Sequence, residues 1–519
     1  MNHILCGLAA NPALPAELVD RLIASAIADA EADADAEIAA ELAARLDLAH
    51  AQARALAARA EDIAVHLAYE GRLTSADIDP AAQPQAALAL LDRGAGLPEW
   101  ARRFATDPFT ERRAKLAACP DLPPDVTDTL AADSEIAVVA ELALWTTPDM
   151  AARLARHPHA EVRRAVAANE ATPPAVLEML LTGDGLPPAR RCLVCDRERT
   201  SAAHAHPHPH PHPHPHPHPA DDLPPGAFCT GSHESTVHDM WRQALSNPAT
   251  PARAAAGFAD HSSGLLRWAL AARPDLPPEA GRRLADDPLP GVRGDLAENP
   301  ALDAAQLRAL ATDVSPDVRR SVAHNPQVPL DVLASLAGTA KIGATLLPRI
   351  AAATPAEVEE LAESPDPAVR MLLAARRDLP PGIRDALAAD TDAKVLKSIA
   401  PHPGLSETRL RAMIDRHGVR VLARVATNPD ASPSLLEHVT RHDPPVPKAF
   451  REVARHPNAT APSLLACLTD RQARTAAAAH PSLPAEVIVE LLTDDEGRVA
   501  EAAAANPSLP RAVMAKLTP

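Results

Sequence analysis

Aromatic residues are scarce in this sequence. Four Trp, one Tyr and five Phe make up 10 of its 519 residues, although 46% of the chain is apolar. The apolar surface comes mainly from Ala, Leu and Val, which predicts a folded protein with an aliphatic core and excludes a disordered chain. Length and the 55 prolines together favour an array of repeats over three ordinary domains of ~150 residues each.

Positive charge, cysteine and long apolar runs are also in short supply. The chain has 68 acidic and 51 basic residues, a formal net charge of −17, and its linear sequence shows no basic cluster. Such a chain repels nucleic-acid phosphates and anionic membranes, so we expect neither as a partner. No run of ~18 apolar residues occurs, and Met1–Cys6 does not begin a secretory signal. Six cysteines are too few for a disulfide framework, which predicts a reduced, cytoplasmic protein.

A repeat of about 26 residues runs along the chain. Its clearest anchors are Asn-Pro pairs that follow one another at this period, such as Asn299-Pro300 and Asn325-Pro326. We count about eighteen units of ~25–26 residues, which are weakest between residues 16 and 93 and are interrupted between residues 190 and 245. The sequence therefore predicts a solenoid over 1–189, an insert over 190–245 and a second solenoid stretch over 246–519.

Each unit predicts a helix, a turn, a shorter helix and a second turn. In Leu483-Pro484 the proline suits the first turn of a helix, because its missing N–H costs nothing there. The apolar residues between Val487 and Leu492 follow at helical spacing. Asp494, Asp495 and Gly497 break this helix, and residues 499–505 form the next one. Asn506-Pro507 ends it, because a residue before proline avoids the α region.

One such helix pair cannot bury its own apolar stripe, whereas stacked pairs can, so we expect an all-α solenoid. The alternation of Asp-Pro-x-x-x-Val-Arg, Ala-x-Asn-Pro and Leu-Pro-x-x-x-Leu-x-x-Leu resembles the leucine-rich repeat variant family, a bacterial relative of HEAT and armadillo repeats. The resemblance covers most of residues 1–191 and 246–519. It implies a right-handed superhelix in which α-helices alternate with short 3₁₀-helices. The units here are longer than those of the family, which leaves open whether the shorter helix is α or 3₁₀.

Two residue types recur at fixed places in the repeat. The arginines of the Val-Arg step are Arg163, Arg293, Arg319 and Arg370, and the asparagines before proline are Asn11, Asn169, Asn247, Asn299, Asn325, Asn428 and Asn506. We predict that the arginines pair with acidic residues of the preceding turn, such as Asp286 and Asp313. The asparagines are predicted to satisfy backbone groups of their turns. Both series are therefore interpreted as structural.

The insert holds the candidate metal ligands. Cys192 and Cys195 have the Cys-x-x-Cys spacing that lets two thiolates hold one metal ion. A His-Pro tract over 204–219 lies between Cys195 and Cys229. Without that tract about 17 residues separate the two cysteines, which suits the two halves of a zinc site. His233 or His238 would be the fourth ligand. We predict a structural zinc site formed by Cys192, Cys195, Cys229 and His233, with unrelated cysteines in a linker as the alternative.

A second interpretation is an iron–sulfur cluster. Residues 229–233, Cys-Thr-Gly-Ser-His, resemble the Cys-Asp-Gly-Ser-His motif of a small class of iron–sulfur proteins whose cluster is held by three Cys and one His. Thr230 departs from that motif, and so does the distant Cys-x-x-Cys pair. His233 and His238 do not form a zinc-protease motif, because their i, i+5 spacing does not bring them to one helix face. The tract over 204–219 is interpreted as an exposed dipeptide repeat in polyproline II, with weak metal binding as the alternative.

These features predict a non-enzymatic scaffold that binds a protein partner through its solenoid surface. No nucleophile, phosphate-binding or dinucleotide motif occurs, and lone residues such as Cys467 and His456 are predicted to lie in the core or in turns. The alternative is a redox or metal-sensing protein that uses Cys192, Cys195, Cys229 and His233. A HEAT-like nucleic-acid enzyme is a third possibility, which the acidic charge disfavours.

Overall fold

The computed structural model describes residues 2–28, 33–187 and 236–519. Within these residues the regular structure consists of thirty-five α-helices and a single 3₁₀-helix at Gly418–Arg420, and it contains no β-strand. The predicted all-helical repeat fold is confirmed. The helices form two compact units, unit 1 over residues 1–73 and 342–519 and unit 2 over residues 74–341. The predicted division at 190–245 stays a prediction, because most of that insert lies outside the described residues.

One repeat of unit 2 shows how the sequence builds the fold. Its first helix, Pro278–Ala285, starts with proline in the first turn, and its second helix, Pro290–Glu298, does the same. We call these two types the A helix and the B helix. Leu284 on the A helix and Leu296 on the B helix are fully buried, because apolar residues at helical spacing face one shared core. Since the B helices are α-helices, the 3₁₀-helices implied by the family resemblance are not the rule here.

Unit 2 contains eight helices of each type among its described residues. Its A helices are Pro98–Phe104, Pro124–Ala131, Pro148–Leu154, Pro174–Thr182, Ala252–Ala256, Pro278–Ala285, Ala304–Leu310 and Leu330–Thr339. Its B helices are Pro84–Asp92, Thr110–Ala117, Ile136–Trp145, Ala160–Ala168, Thr236–Ser246, Gly264–Ala271, Pro290–Glu298 and Pro316–His324. The B helices stack on the B helices of neighbouring repeats, and small residues in them, such as Gly294 opposite Ser321, permit close approach.

Unit 1 repeats the same plan. Its A helices are Ala16–Ala28, His50–Ala57, Pro355–Ala362, Pro381–Leu387, Glu407–His417, Pro433–Thr440, Ala461–Cys467, Ala485–Leu491 and Arg511–Leu517. Its B helices are Asn2–Ala10, Asp33–Ala43, Glu61–Tyr69, Pro348–Ala351, Pro367–Leu373, Ala393–Ile399, Leu422–Val425, Pro447–Ala454, Arg474–Ala478 and Gly497–Ala504. The helices predicted around Ile488 and Val499 are present, and both of these side chains are fully buried.

In seven repeats a buried asparagine at the end of the B helix connects the repeat to its neighbour. Nδ2 of Asn325 donates to the carbonyl oxygens of Ala297 and Asn299, both at 2.8 Å, and its Oδ1 accepts the N–H of Gln327 at 2.7 Å. Both amide hydrogens are thereby used. Equivalent bonds are made by Asn11, Asn169, Asn247, Asn299, Asn428 and Asn506. We call this series the asparagine ladder; the predicted structural role is confirmed.

Other residues replace asparagine at some steps of the ladder. Arg273 donates to the carbonyl oxygens of Leu245 at 2.6 Å and Asn247 at 3.1 Å. His456 is buried, as predicted, and its Nε2 donates to the carbonyl oxygen of Asn428 at 2.8 Å. Both of these replacements are donors long enough to reach the same carbonyl groups. At the step of His402 the bond is missing, because Nε2 of that residue is buried without a hydrogen-bond partner among the described residues.

The repeats on either side of the insert are direct neighbours in unit 2. The helix Thr236–Ser246 packs on the helix Ala160–Ala168. Asn247 donates to the carbonyl oxygens of Ala167 and Asn169, both at 2.9 Å, although these residues are far apart in the chain. The stack of repeats therefore continues across residues 188–235, which the structure does not describe.

The first and last repeats of the chain also pack together, in unit 1. Asn11 donates to the carbonyl oxygens of Ala504 and Asn506, both at 2.8 Å, the contact that joins consecutive repeats elsewhere. The helix Asn2–Ala10 comes so close to Gly497–Ala504 that a Cβ on Gly7 would collide with the carbonyl oxygen of Glu501. Only glycine fits at position 7 without a steric clash. The asparagine ladder extends to the first repeat.

Asn325→Ala tests the energetic importance of the ladder. The change leaves two buried carbonyl groups and the N–H of Gln327 without their partner, so we expect the free energy of unfolding to fall by about 2–3 kcal/mol. Gln327→Ala is the matched control, because that side chain is exposed and its backbone N–H is retained. Equal unfolding midpoints for the two variants in urea titrations would contradict a structural role for Asn325.

Candidate functional site

The predicted metal ligands Cys192, Cys195, Cys229 and His233 lie outside the described residues, as does the His-Pro tract over 204–219. His238, the alternative fourth ligand, is described. It lies on the B helix Thr236–Ser246, where its Nε2 is 2.7 Å from Oγ of Ser263. Among the described residues, no three His, Cys, Asp or Glu side chains are placed to hold a metal ion together.

The remaining three cysteines are buried thiols. Cys6, Cys119 and Cys467 are each less than 7% exposed. Burial raises the pKa of Cys6 to about 11 and those of Cys119 and Cys467 to about 12. A thiol rather than a thiolate is present at neutral pH, so none of them is poised as a nucleophile or a metal ligand. The predicted core position of Cys467 is confirmed.

The arginines of the Val-Arg step form a second structural series. Arg293 donates from Nε and Nη2 to the carboxylate of Asp313, at 2.7 and 3.0 Å, and from Nη1 to the carbonyl oxygen of Asp287 at 2.6 Å. Its acidic partner thus belongs to the turn of the following repeat, and the prediction of a partner in the preceding turn was wrong. The preceding turn contributes only a carbonyl group, and it comes from Asp287 rather than Asp286.

The same two-sided contact recurs where an aspartate lies at the matching position of the following repeat. The pairs that share it are Arg113–Asp133, Arg267–Asp287, Arg293–Asp313 and Arg370–Asp390. The hydrogen bond from Arg293 lowers the pKa of Asp313, and Asp313 in turn raises the pKa of Arg293. These side chains are occupied within the fold and offer little to a ligand.

Two members of this series bind no aspartate carboxylate. Arg319 donates only to the carbonyl oxygens of Asp313 and Val314 in the preceding turn; Arg163 is the other. Arg163 is 3% exposed, its Nε donates to the carbonyl oxygen of His157 at 2.7 Å, and its Nη2 has no hydrogen-bond partner. Glu161, on the same helix and 6% exposed, likewise has one oxygen without a partner. Burial, with contributions from His159 and Arg163, lowers the pKa of His157 to about 4. His157 is therefore neutral at physiological pH.

Two small clefts lie in unit 1. One, of about 150 Å³, is lined by the side chains of Arg45, His66, Glu70 and Arg72; the other, of about 80 Å³, includes Arg409. Both are smaller than the ~300–1,000 Å³ typical of small-molecule sites. Arg45 and Arg72 also donate to backbone carbonyl groups. The clefts therefore lack the volume of a small-molecule site.

The A helices neutralise much of their own surface charge. Arg102 pairs with Asp125 and Arg308 with Asp331, in both cases between exposed side chains of neighbouring A helices. Arg153 and Asp128 form a similar pair at 2.8 Å. Such exposed pairs add little stability, but they leave these stretches of surface without excess charge.

Three consecutive B helices of unit 1 differ from this pattern. Their outward positions, with the residues at their ends, form what we call the basic face, which consists of Lys394, Lys397, Arg420, Arg424, Lys448, Arg451 and Arg455. The opposite sides of the same helices hold buried apolar residues such as Leu396, Leu422 and Phe450. Glu452 lies on the third helix and Asp392 is the N-cap of Ala393–Ile399, so seven positive charges accompany two negative charges.

The basic face is not neutralised within the described part of the chain. None of its seven side chains forms an ion pair there, and Nε of Arg451 is buried without a hydrogen-bond partner. Arg424 donates from Nε to the carbonyl oxygen of Lys397 at 3.2 Å, which joins two neighbouring helices of the face. Burial and the positive charge of Arg424 lower the pKa of Arg377. Arg377 therefore adds a further cation near Arg424.

The linear sequence shows no basic cluster, but the folded chain has one. Lys397, Arg424 and Arg451 are each separated in sequence by the length of one repeat, so no short window shows an excess of charge. The repeat period brings them to equivalent positions on adjacent helices. Marking the outward positions of each B helix in register would have revealed the face from the sequence.

Comparisons with known proteins add little to this geometry. No protein-family model matches the chain, and no curated protein matches it. A crystal structure of SYS-1 aligns over 92% of this chain and 91% of its own, at 10% identity and a TM-score of 0.17, a likeness too weak to carry an argument. No described helix is long and apolar enough to cross a membrane.

Asp313→Asn tests the Arg–Asp series. Because the pKa of Asp313 is lowered in the folded state, its contribution is complete above the unfolded value of ~3.9 and is lost as pH falls through the folded pKa. We expect the variant to lose about 2 kcal/mol of unfolding free energy at pH 7, and less at pH 3. Asp331→Asn, in an exposed Arg–Asp pair, is the control with a much smaller loss. A deficit of Asp313→Asn that does not depend on pH would contradict the charge pairing.

Proposed function

We propose that this protein is a non-enzymatic scaffold that binds another protein through the basic face of unit 1. The proposal is based on seven cationic side chains on three consecutive repeats. None of the seven has an ion-pair partner among the described residues. Like charges on neighbouring helices repel one another, and a complementary acidic partner removes that repulsion. The side chains of the asparagine ladder and the Arg–Asp series, by contrast, already form hydrogen bonds within the fold.

The described residues also favour recognition over catalysis. The three described thiols are protonated at neutral pH, and the ladder histidines His456 and His480 donate to backbone carbonyl groups. Solenoids offer extended surfaces on which neighbouring repeats contribute equivalent side chains. A binding role therefore uses the surface that this fold supplies.

A charge-reversal variant tests the binding role. Lys394→Glu, Arg420→Glu and Lys448→Glu change three exposed residues with no side-chain bond, so the fold should be retained. In affinity purification with quantitative mass spectrometry, we expect specific protein partners of the natural chain to be depleted at least about tenfold. The matched control carries Lys341→Glu, Arg511→Glu and Lys516→Glu, three exposed residues outside the face. Partners lost equally from both variants would contradict the proposal.

The insert is proposed to contain a structural zinc site formed by Cys192, Cys195, Cys229 and His233. Support comes from the spacing of the cysteines in the sequence and from the position of His238 on a solenoid helix beside Ser263, which favours His233 as the fourth ligand. In a reducing cytoplasm the thiols would remain available for the metal. The absorption spectrum of freshly purified protein separates this proposal from the iron–sulfur alternative, because zinc is colourless.

Cys192→Ser tests the zinc site. We expect the loss of one zinc equivalent per chain by mass spectrometry, and cleavage within residues 190–245 during limited proteolysis, because metal binding supplies the folding energy of such an insert. The two fragments should remain associated, since Asn247 binds the repeat on the other side. Cys119→Ser, which alters a buried core thiol, should retain the metal. Normal zinc content and protease resistance in Cys192→Ser would overturn the four-ligand set.

A further inference from the structure

We propose that the basic face recognises an extended acidic peptide segment with a carboxylate at about every third residue. This inference rests on the proposed function and specifies the partner's chemistry at the same surface. The basic face is made of three B helices that pack in series, Ala393–Ile399, Leu422–Val425 and Pro447–Ala454. Each helix, with its flanking residues, contributes two or three cations, so the charges are arranged as three steps rather than as a single point.

The spacing of the steps suits an extended chain. Packed helices lie about 8–10 Å apart, and a polyproline II chain advances ~3.1 Å per residue, or about 9 Å over three residues. A carboxylate at every third position therefore meets a new helix each time. A helical ligand would need about six residues for the same distance and would present its carboxylates on several faces.

The donor chemistry suits carboxylates. Arg424 and Arg451 are half-buried guanidinium groups, and a guanidinium fork binds a carboxylate through two hydrogen bonds. Lys394, Arg420 and Lys448 are exposed and would add attraction that weakens with salt.

The extent of the face limits the length of the ligand. On one neighbouring B helix, Pro367–Leu373, the corresponding outward residues are Ala368 and Met371; on the other, Arg474–Ala478, they are Thr475 and Ala476. None of these is charged. The positive strip therefore ends after three repeats, which matches a segment of about nine residues at three residues per step.

Nucleic acid is a poorer match for the same surface. Single strands are held by stacking on exposed aromatic rings, but Phe450, the one aromatic residue of these three helices, is 7% exposed and belongs to the core. A duplex would extend beyond three repeats and along a protein whose net charge is −17, where its phosphates are repelled. A short acidic peptide meets neither obstacle.

Fluorescence anisotropy with labelled ligands tests the inference on the full-length protein. The probe is a twelve-residue peptide of four Glu-Ala-Pro triplets, and a Gln-Ala-Pro peptide is the uncharged control. We expect saturable binding of the acidic peptide that weakens as salt is raised. It should also weaken at least about tenfold in the Lys394→Glu, Arg420→Glu, Lys448→Glu variant. The Lys341→Glu, Arg511→Glu, Lys516→Glu control should bind within about twofold of the natural chain.

Three outcomes would overturn the inference. The first is tighter binding of a twelve-nucleotide oligothymidine or of phosphatidylserine vesicles than of the acidic peptide. The second is equal peptide binding by both triple variants, and the third is no binding of the peptide at all. If the peptide fails while natural protein partners still depend on the basic face, the proposed scaffold function stands and only the acidic-segment inference falls.

Discussion

The fold depends on backbone carbonyl groups at the C-terminal ends of short helices. Every helix end leaves carbonyl oxygens without an intrahelical partner, and a protein built from so many short helices has many such ends. Here the Nδ2 group of a ladder asparagine such as Asn299 binds two of them, on Ala271 and Arg273 of the preceding repeat, both at 2.7 Å. A repeat therefore completes the hydrogen bonding of its neighbour, which makes an isolated repeat incomplete and a stacked one stable.

This requirement separates residues that serve the fold from residues that are free for recognition. At most ladder and Val-Arg positions, side chains such as Asn428 and Arg370 already use their polar groups within the fold. The outward positions of the B helices are not needed for these bonds between repeats, and the residue types at these positions vary from repeat to repeat. The chain therefore has a net charge of −17 and also a basic face. The net charge of a whole chain does not determine the charge at one set of outward positions.

Much of the fold follows from the sequence because its signals are local. Proline in the first helical turn, apolar residues at helical spacing and the Asn-Pro end of a unit are all read within a single repeat, and the all-helical repeats they predict are present. Contacts between repeats were harder to predict. The partner of Arg293 is the aspartate of the following turn, the basic face needs residues from Lys394 to Arg455, and nothing local indicates that Asn11 binds Ala504. The metal ligands within residues 188–235 are predicted from the spacing of the cysteines alone.

Hydrogen exchange of the helix Asn2–Ala10 tests most directly whether the contact that joins interior repeats also joins the first repeat to the last. If Asn11 joins the first repeat to the last as other asparagines join interior repeats, amides of this helix should exchange as slowly as those of Ala393–Ile399. Gly7→Val should accelerate exchange selectively in Asn2–Ala10, because its side chain collides with Glu501, whereas Gly382→Ala, where a Cβ meets open space, should not. Rapid exchange of Asn2–Ala10 in the natural chain, unchanged by Gly7→Val, would contradict the account.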